Sequence, residues 1–262
     1  RIISAELGNK VDLVSLSHLF NSTIFLRSIE DSKKRANELD SNTKVFTSVL
    51  ENGLCKNVSE VISVVEKILN ISIPDYIVQK EKISIFNGIN IFDLKRFFNS
   101  FYENDYNRFK YDFSIMTKQA LSRIYQKYVS ILSISDSNNL QNDLFGLSPI
   151  LSEKINKDKG AYYTPEYIAR FFAKYICKYY TEKEFDKLKI LEPAVGSGIF
   201  LRTLLETQIE QRISNQTELN IDSLFQNVSA IDIDPNACLS TNLSLTLLHY
   251  IFNKSFSKPN VI

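Results

Sequence analysis

Apolar residues recur at three- and four-residue steps through the first 150 positions. Leu13, Leu16, Phe20 and Ile24 form one such row, and Val58, Val61, Val65 and Ile68 or Leu69 form a second, closed by Asn70 ahead of the break at Ile73-Pro74. Leu94, Phe97, Phe98 and Phe101 make a short aromatic stripe, and Leu121, Ile124, Tyr128 and Ile131 a further row. This period is that of helices burying one face, so the rows predict core. The polar run Ser133–Asn139 predicts a linker. Beyond it the pattern changes. Thr164-Pro165-Glu166 reads as a helix start, with Thr164 as N-cap, Pro165 at the first helical position and a staple between Tyr163 and Ile168. Ile168, Phe171, Phe172, Tyr175 and Tyr179 are expected to face inward on that helix. Then follow a strand at Lys189-Ile190-Leu191, a turn Glu192–Gly198, a helix from Ile199 to about Arg212, a polar stretch, a strand Val228–Ile233, and a helix from Pro235 to about Tyr250. Strand, glycine turn, helix, strand, acid and helix open a doubly wound parallel sheet. The expected fold class is α + α/β, with a helical domain over 1–150 and an α/β domain over 151–262.

Composition narrows the class without naming a function. The 31 Lys+Arg and 30 Asp+Glu nearly cancel, so the chain has no global basic field to steer nucleic acid. Seven glycines and six prolines in 262 residues exclude collagen-like and loop-dominated architectures. Cys55, Cys177 and Cys238 are widely spaced and odd in number, which speaks against a disulfide framework or a zinc site and for reduced thiols in a cytoplasmic protein. No apolar run approaches the roughly 20 residues of a membrane span. The start at Arg1 rather than Met suggests a piece of a longer chain.

The chemistry concentrates in the glycine turn. Gly196-Ser197-Gly198 after a strand lets a ligand approach backbone at a helix N-terminus. A dinucleotide fits poorly, because Leu201 stands at the third glycine of G-x-G-x-x-G and Glu192 would repel a pyrophosphate. An ammonium group beside Glu192 would instead be attracted. S-adenosyl-L-methionine carries an amino group, a sulfonium, a ribose diol and an adenine, and no phosphate. Asp232 and Asp234 alternate with Ile231 and Ile233. Asp234 is needed as the cap of the following helix, which leaves Asp232 for ribose hydroxyls and Ile233 for an adenine face.

Three segments carry a resemblance to N6-adenine DNA methyltransferases. Gly160-Ala161-Tyr162-Tyr163-Thr164-Pro165 resembles their G-x-Y/F-Y/F-T-P motif, Leu191–Gly198 their D/E-P-A-C-G-S-G loop, and Ala230-Ile231-Asp232-Ile233-Asp234-Pro235 their G-x-E/D-I-D-P strand end. Phe25–Asp31 is similar to a helix of the family's helical domain, and Tyr111-Asp112-Phe113 and Arg123-Ile124-Tyr125 resemble segments leading to its Tyr-Tyr-Thr-Pro motif. The relatives implied are type I modification subunits and type II combined restriction–methylation enzymes. The resemblance implies a Rossmann-like domain and a restriction-modification enzyme that transfers methyl from S-adenosyl-L-methionine to adenine-N6 in double-stranded DNA, with a specificity or nuclease subunit or domain as partner. It assigns Thr164 to the cofactor carboxylate, Glu192 to its amino group, Gly196, Ser197 and Gly198 to the methionine part, Asp232 to the ribose and Ile233 to the adenine, and counts Tyr163, Pro193, Ala194 and Asp234 among the cofactor-binding residues. Val195 replaces the usual cysteine and Ser229-Ala230 a common glycine.

The family's Asn-Pro-Pro-Tyr/Phe motif, which takes up the flipped adenine, is absent from these 262 residues. Pro259-Asn260-Val261-Ile262 looks like the entry to a third strand. The expectation is therefore the cofactor-binding half of a DNA methylation enzyme, itself catalytically silent. Two other readings remain. One is a methyltransferase of RNA or protein. The other is a non-catalytic DNA-binding clamp or assembly module using Lys33-Lys34-Arg35 and Lys118, Arg123 and Lys127 with Tyr125 and Tyr128. His18 is expected at the surface or boundary, and His249 near a helix C-terminus without a sequence-local partner.

Overall fold

A computed structural model describes residues 13–53, 55–102, 112–113 and 164–262. The row ending at Ile131, the linker, Gly160–Tyr163 and the Lys118/Arg123/Lys127 cluster lie outside the described residues. The chain forms two compact units, Arg1–Met116 and Thr117–Ile262. The expected boundary near 150 likewise lies outside the described residues.

The first unit is helical where described: α1 Leu13–Arg35, α2 Val45–Glu51, α3 Val58–Ile68, α4 Lys80–Ile83, a 3₁₀ turn Ser84–Gly88, and α5 Ile91–Asn99. Asn57 and Asn90 cap α3 and α5 by accepting the N–H of Glu60 and Asp93. The open choice at the end of α3 falls to Leu69, which is buried, while Ile68 is exposed. Leu94, Phe97 and Phe98 are buried as expected, and Phe98 stacks on Phe46 at 4.7 Å.

α1 departs from a one-faced helix. Ser22 through Glu30 are all buried, so this stretch is surrounded rather than laid on a surface. Ser22 and Thr23 tolerate this because both hydroxyls donate to the Leu19 carbonyl at 2.8 Å. His18 is also buried, a correction to its expected boundary position; its Nδ1 accepts the Gln79 backbone N–H at 3.3 Å. The charged residues of α1 are matched within the unit. Glu30 is fully buried and accepts from Lys34 Nζ at 2.6 Å and Tyr102 Oη at 2.7 Å, with Arg27 at 3.0 Å. Arg27 forms a bidentate pair with Asp31 at 2.8 and 2.9 Å and lies 4.2 Å from the Tyr102 ring centroid. Burial, and then the Glu30 charge, push the Tyr102 hydroxyl well above its ordinary value. Lys33 pairs with Glu38 and Arg35 with Asp112, so each cation of the Lys33-Lys34-Arg35 run meets a carboxylate.

The second unit contains α6 Glu166–Tyr179, α7 Glu182–Phe185, β1 Ile190–Glu192, α8 Ile199–Asn215, α9 Ile221–Gln226, β2 Val228–Ala230, α10 Pro235–Asn253 and β3 Asn260–Val261. The three strands are parallel in the order β1-β2-β3. Right-handed crossovers in one direction place α8 and α10 on the same face. That face carries Ile190, Val228, Ala230 and Val261, packed with Leu204, Leu205 and Ile209 of α8 and Leu245 and Leu248 of α10. On the other face Leu191, Ser229 and Asn260 stand in register, and Leu191 is exposed.

Several expectations shift here. α6 begins at Glu166 with Pro165 as its cap residue and no side-chain cap bond, so Thr164, the expected N-cap, stands one residue before the observed one. The phase of α6 is also different. Ala169, Ala173 and Cys177 are buried, while Phe171, Phe172, Tyr175 and Tyr179 are exposed and Ile168 is partly so. The small residues form an i, i+4, i+8 row, which lets α6 pack closely on α8. β2 ends at Ala230, three residues before the expected limit. Inside the polar stretch lies α9, missed by its shortness but anchored by buried Leu224 and Phe225. α7 was also missed, although Thr181 and Glu184 form a capping box readable from the sequence. His249 is buried, with Nε2 2.8 Å from Asp222 Oδ1 and Nδ1 2.9 Å from the Ser255 carbonyl, tying α10 to α9 and to the turn before β3.

Removing Glu30 takes one of two carboxylates from buried Arg27 and half-buried Lys34 and strips Tyr102 of its acceptor. Glu30→Ala is expected to cost about 3–5 kcal/mol, and Tyr102→Phe about 1–3 kcal/mol. Urea denaturation of the purified chain, read for its first unit, checks both values. A loss below ~1 kcal/mol for Glu30→Ala would show the cluster to be peripheral.

Candidate functional site

The site forms where β1 and β2 end side by side. Strand pairing continues past both elements: Ile231 N–H donates to the Glu192 carbonyl at 2.9 Å, and Val195 N–H to the Ile231 carbonyl at 3.0 Å. This ladder fixes the start of the glycine turn against the residues after β2. Asp232 then closes the turn. Its Oδ2 accepts the Gly196 N–H at 2.8 Å and its Oδ1 the Asp234 N–H at 2.9 Å. Each oxygen keeps acceptor capacity beyond these bonds. Asp234 caps α10 as expected, accepting from the Asn236 N–H at 2.9 Å, with Pro235 at the helix start.

The glycines have different reasons. Gly198 has φ +76 and caps α8; a Cβ there would lie 3.0 Å from Thr241 Oγ1 and 3.1 Å from its Cγ2. Gly196 has φ +54, but no atom lies within 4 Å of its Cβ position, so the backbone there borders open space. Thr241 was missed by sequence reasoning. It is buried on α10 and donates to the Gly196 carbonyl at 3.0 Å. Its signal was available: Asp234, Ala237 and Thr241 recur at i, i+3, i+7, and the last two are buried. Cys238 on the same helix directs its thiol at the Asp232 carbonyl, 3.6 Å away, and burial raises its pKa.

Glu192 is the electrostatic centre. In register it lies beside Ala230, on the face covered by α8 and α10, and is half-buried. That desolvation raises its carboxyl above the usual range, while a bond from the Ala194 backbone opposes the shift. No ion pair to Glu192 forms among the described residues. A half-buried carboxylate with no cation beside it, next to an open stretch of backbone, can receive a ligand's ammonium group.

The structure thus brings together Glu192, Pro193, Ala194, Gly196, Ser197, Gly198, Asp232 and Asp234 at the ends of two strands. Ile233 is beside them and 100% exposed, an apolar side chain held entirely in solvent. Thr164 heads α6 and makes no hydrogen bond to the turn among the described residues, and Tyr163 lies outside them. No cluster of three potential metal ligands occurs among the described residues. No helix there is long and apolar enough to cross a membrane. No family model matches the chain, and no curated protein matches it.

The two glycines give a graded prediction. Gly196→Ala pays the left-handed backbone cost alone, about 1–2 kcal/mol. Gly198→Ala adds the collision with Thr241, typically about 1–3 kcal/mol more. Thermal denaturation of both variants is expected to rank Gly198→Ala as clearly worse; equal losses would remove the Thr241 contact as the cause.

Glu192 gives a pH-dependent one. A carboxyl raised by burial favours the protonated folded state, so stability falls as pH climbs from the ordinary glutamate range through the raised value, then stays level. Glu192→Gln is therefore expected to melt higher than the parent at neutral pH and equally at acid pH. A lower melting temperature at neutral pH would contradict the desolvation account.

Proposed function

We propose that the second unit is the cofactor-binding half of a Rossmann-like methyltransferase that takes S-adenosyl-L-methionine, within an enzyme modifying adenine-N6 in double-stranded DNA as part of a restriction-modification system. The observation carrying this reading is the half-buried carboxylate of Glu192, without an ion-pair partner among the described residues, set beside the open Gly196 backbone and Asp232. A phosphate-bearing dinucleotide would meet repulsion there. A zwitterionic amino-acid ligand would find an anion for its ammonium group. The three motif resemblances supply the rest: the order of the Tyr-Tyr-Thr-Pro segment, the Glu-Pro-Ala-Val-Gly-Ser-Gly turn and the Asp-Ile-Asp-Pro strand end.

In this reading Glu192 binds the amino group, and Gly196, Ser197 and Gly198 let the methionine part lie on the backbone. Asp232 accepts ribose hydroxyls with the lone pairs that Gly196 and Asp234 leave, Ile233 covers the adenine, and Thr164 and Tyr163 belong to the carboxylate end. Bound S-adenosyl-L-methionine would supply an electrophilic methyl group. The motif that receives adenine in the family is absent from this sequence, so the chain alone is expected to transfer no methyl to DNA. A specificity or nuclease partner follows from the same resemblance.

Isothermal calorimetry tests the reading on the purified chain. S-adenosyl-L-methionine is expected to bind, and Glu192→Gln and Asp232→Ala each to weaken it by about tenfold or more. Affinity is expected to fall on acidification at a higher pH than an ordinary glutamate would impose, and Glu192→Gln to abolish that fall. Binding of NADH in place of S-adenosyl-L-methionine would overturn the assignment.

A further inference from the structure

The exposed side of α6 has a pattern that neither the fold nor the cofactor site uses. Tyr167, Phe171, Tyr175 and Tyr179 follow one another at four-residue steps, and with Phe172 they are between 49% and 72% exposed. Beside this row runs a second, Arg170, Lys174 and Lys178, each an exposed cation three residues after an aromatic. The pairs Tyr167/Arg170, Phe171/Lys174 and Tyr175/Lys178 therefore repeat about every 6 Å along the helix. Glu166 pairs with Arg170 at 2.6 Å, but neither Lys174 nor Lys178 is in an ion pair among the described residues. The Tyr175 and Tyr179 rings are nearly parallel, 21° apart, with centroids at 6.3 Å.

We infer that this face of α6 binds an unpaired nucleic-acid strand. Aromatic rings offer stacking surfaces to bases, and a parallel row of cations neutralises successive phosphates. A protein partner covering the aromatics would also desolvate Lys174 and Lys178, which pair with no carboxylate among the described residues. A lipid surface would bury the row below the headgroups, and three of its five exposed rings are tyrosines whose hydroxyls oppose that burial. A duplex keeps its bases stacked inside and has no use for exposed rings. The inference is independent of the methyltransferase reading, since no residue of the turn or of Asp232 enters it.

Fluorescence anisotropy of the full chain with a labelled oligothymidylate of about 20 nucleotides tests it. Phe171→Ala with Tyr175→Ala is expected to weaken binding about tenfold per ring removed. Lys174→Gln with Lys178→Gln is expected to make the salt dependence shallower by about 0.7 per lysine in the log–log slope. Circular dichroism controls for folding, which exposed positions should preserve. The inference is overturned by an oligonucleotide affinity unchanged in the aromatic pair, by equal affinity for the corresponding duplex, or by absence of binding at low salt. It is equally overturned if the same substitutions abolish self-association or binding to anionic phosphatidylserine vesicles while leaving oligonucleotide binding intact.

Discussion

The chain leaving a parallel strand carries backbone N–H groups that the strand ladder no longer satisfies, and something must accept them. In the second unit Asp232 accepts two, from Gly196 on the turn after β1 and from Asp234 at the head of α10. A single carboxylate thereby joins two strand ends, a glycine turn and a helix start. Its geometry sets where Gly196 presents its backbone, and Thr241 secures the same residue from the other side through its carbonyl. The site is therefore built by the fold's own hydrogen-bond needs. Any ligand it receives meets groups already held in place, which lowers the ordering cost of binding.

The same economy shapes Glu192. Its position in the β1–β2 register puts it on the helix-covered face, where a carboxylate loses hydration. That burial raises the proton affinity of the folded state, and a bound cation would offset the lost hydration. If Glu192 receives the proposed ammonium group, stability and binding make opposite demands on this one side chain. In the first unit, by contrast, Arg27, Glu30, Asp31, Lys34 and Tyr102 pair with one another around α1, although Arg27 Nε is buried without a hydrogen-bond partner among the described residues.

The site was more legible in the sequence than the packing around it. Gly196, Gly198, Asp232 and Asp234 could be placed because each residue type answers a local demand: positive φ, close backbone approach, or a helix cap. α6 shows where such reading stops. Its aromatics outrank its alanines in hydrophobicity, so periodicity alone turns the helix the wrong way. Ala169, Ala173 and Cys177 are inside because they let α6 approach α8, and that advantage is invisible until α8 is present. His18 is buried rather than at the boundary for the same reason, since Gln79 reaches it only through the fold; His249 stands near the C-terminal end of α10 as expected, and its partners Asp222 and Ser255 likewise come to it through the fold.

What the sequence determined by itself was local: the alternation of helix and strand, the turn chemistry at Glu192–Gly198, and the identity of the acid left over once Asp234 had capped its helix. Backbone conformational preference and hydrogen-bonding capacity act within a few residues, so they can be read in one dimension. What only the tertiary structure decided was which faces are buried and which are bare. That depends on how closely whole elements can approach. Here it leaves Ile233 and the aromatic row of α6 in solvent, encloses α1 between Ser22 and Glu30, and half-buries the Glu192 carboxylate without an ion-pair partner among the described residues.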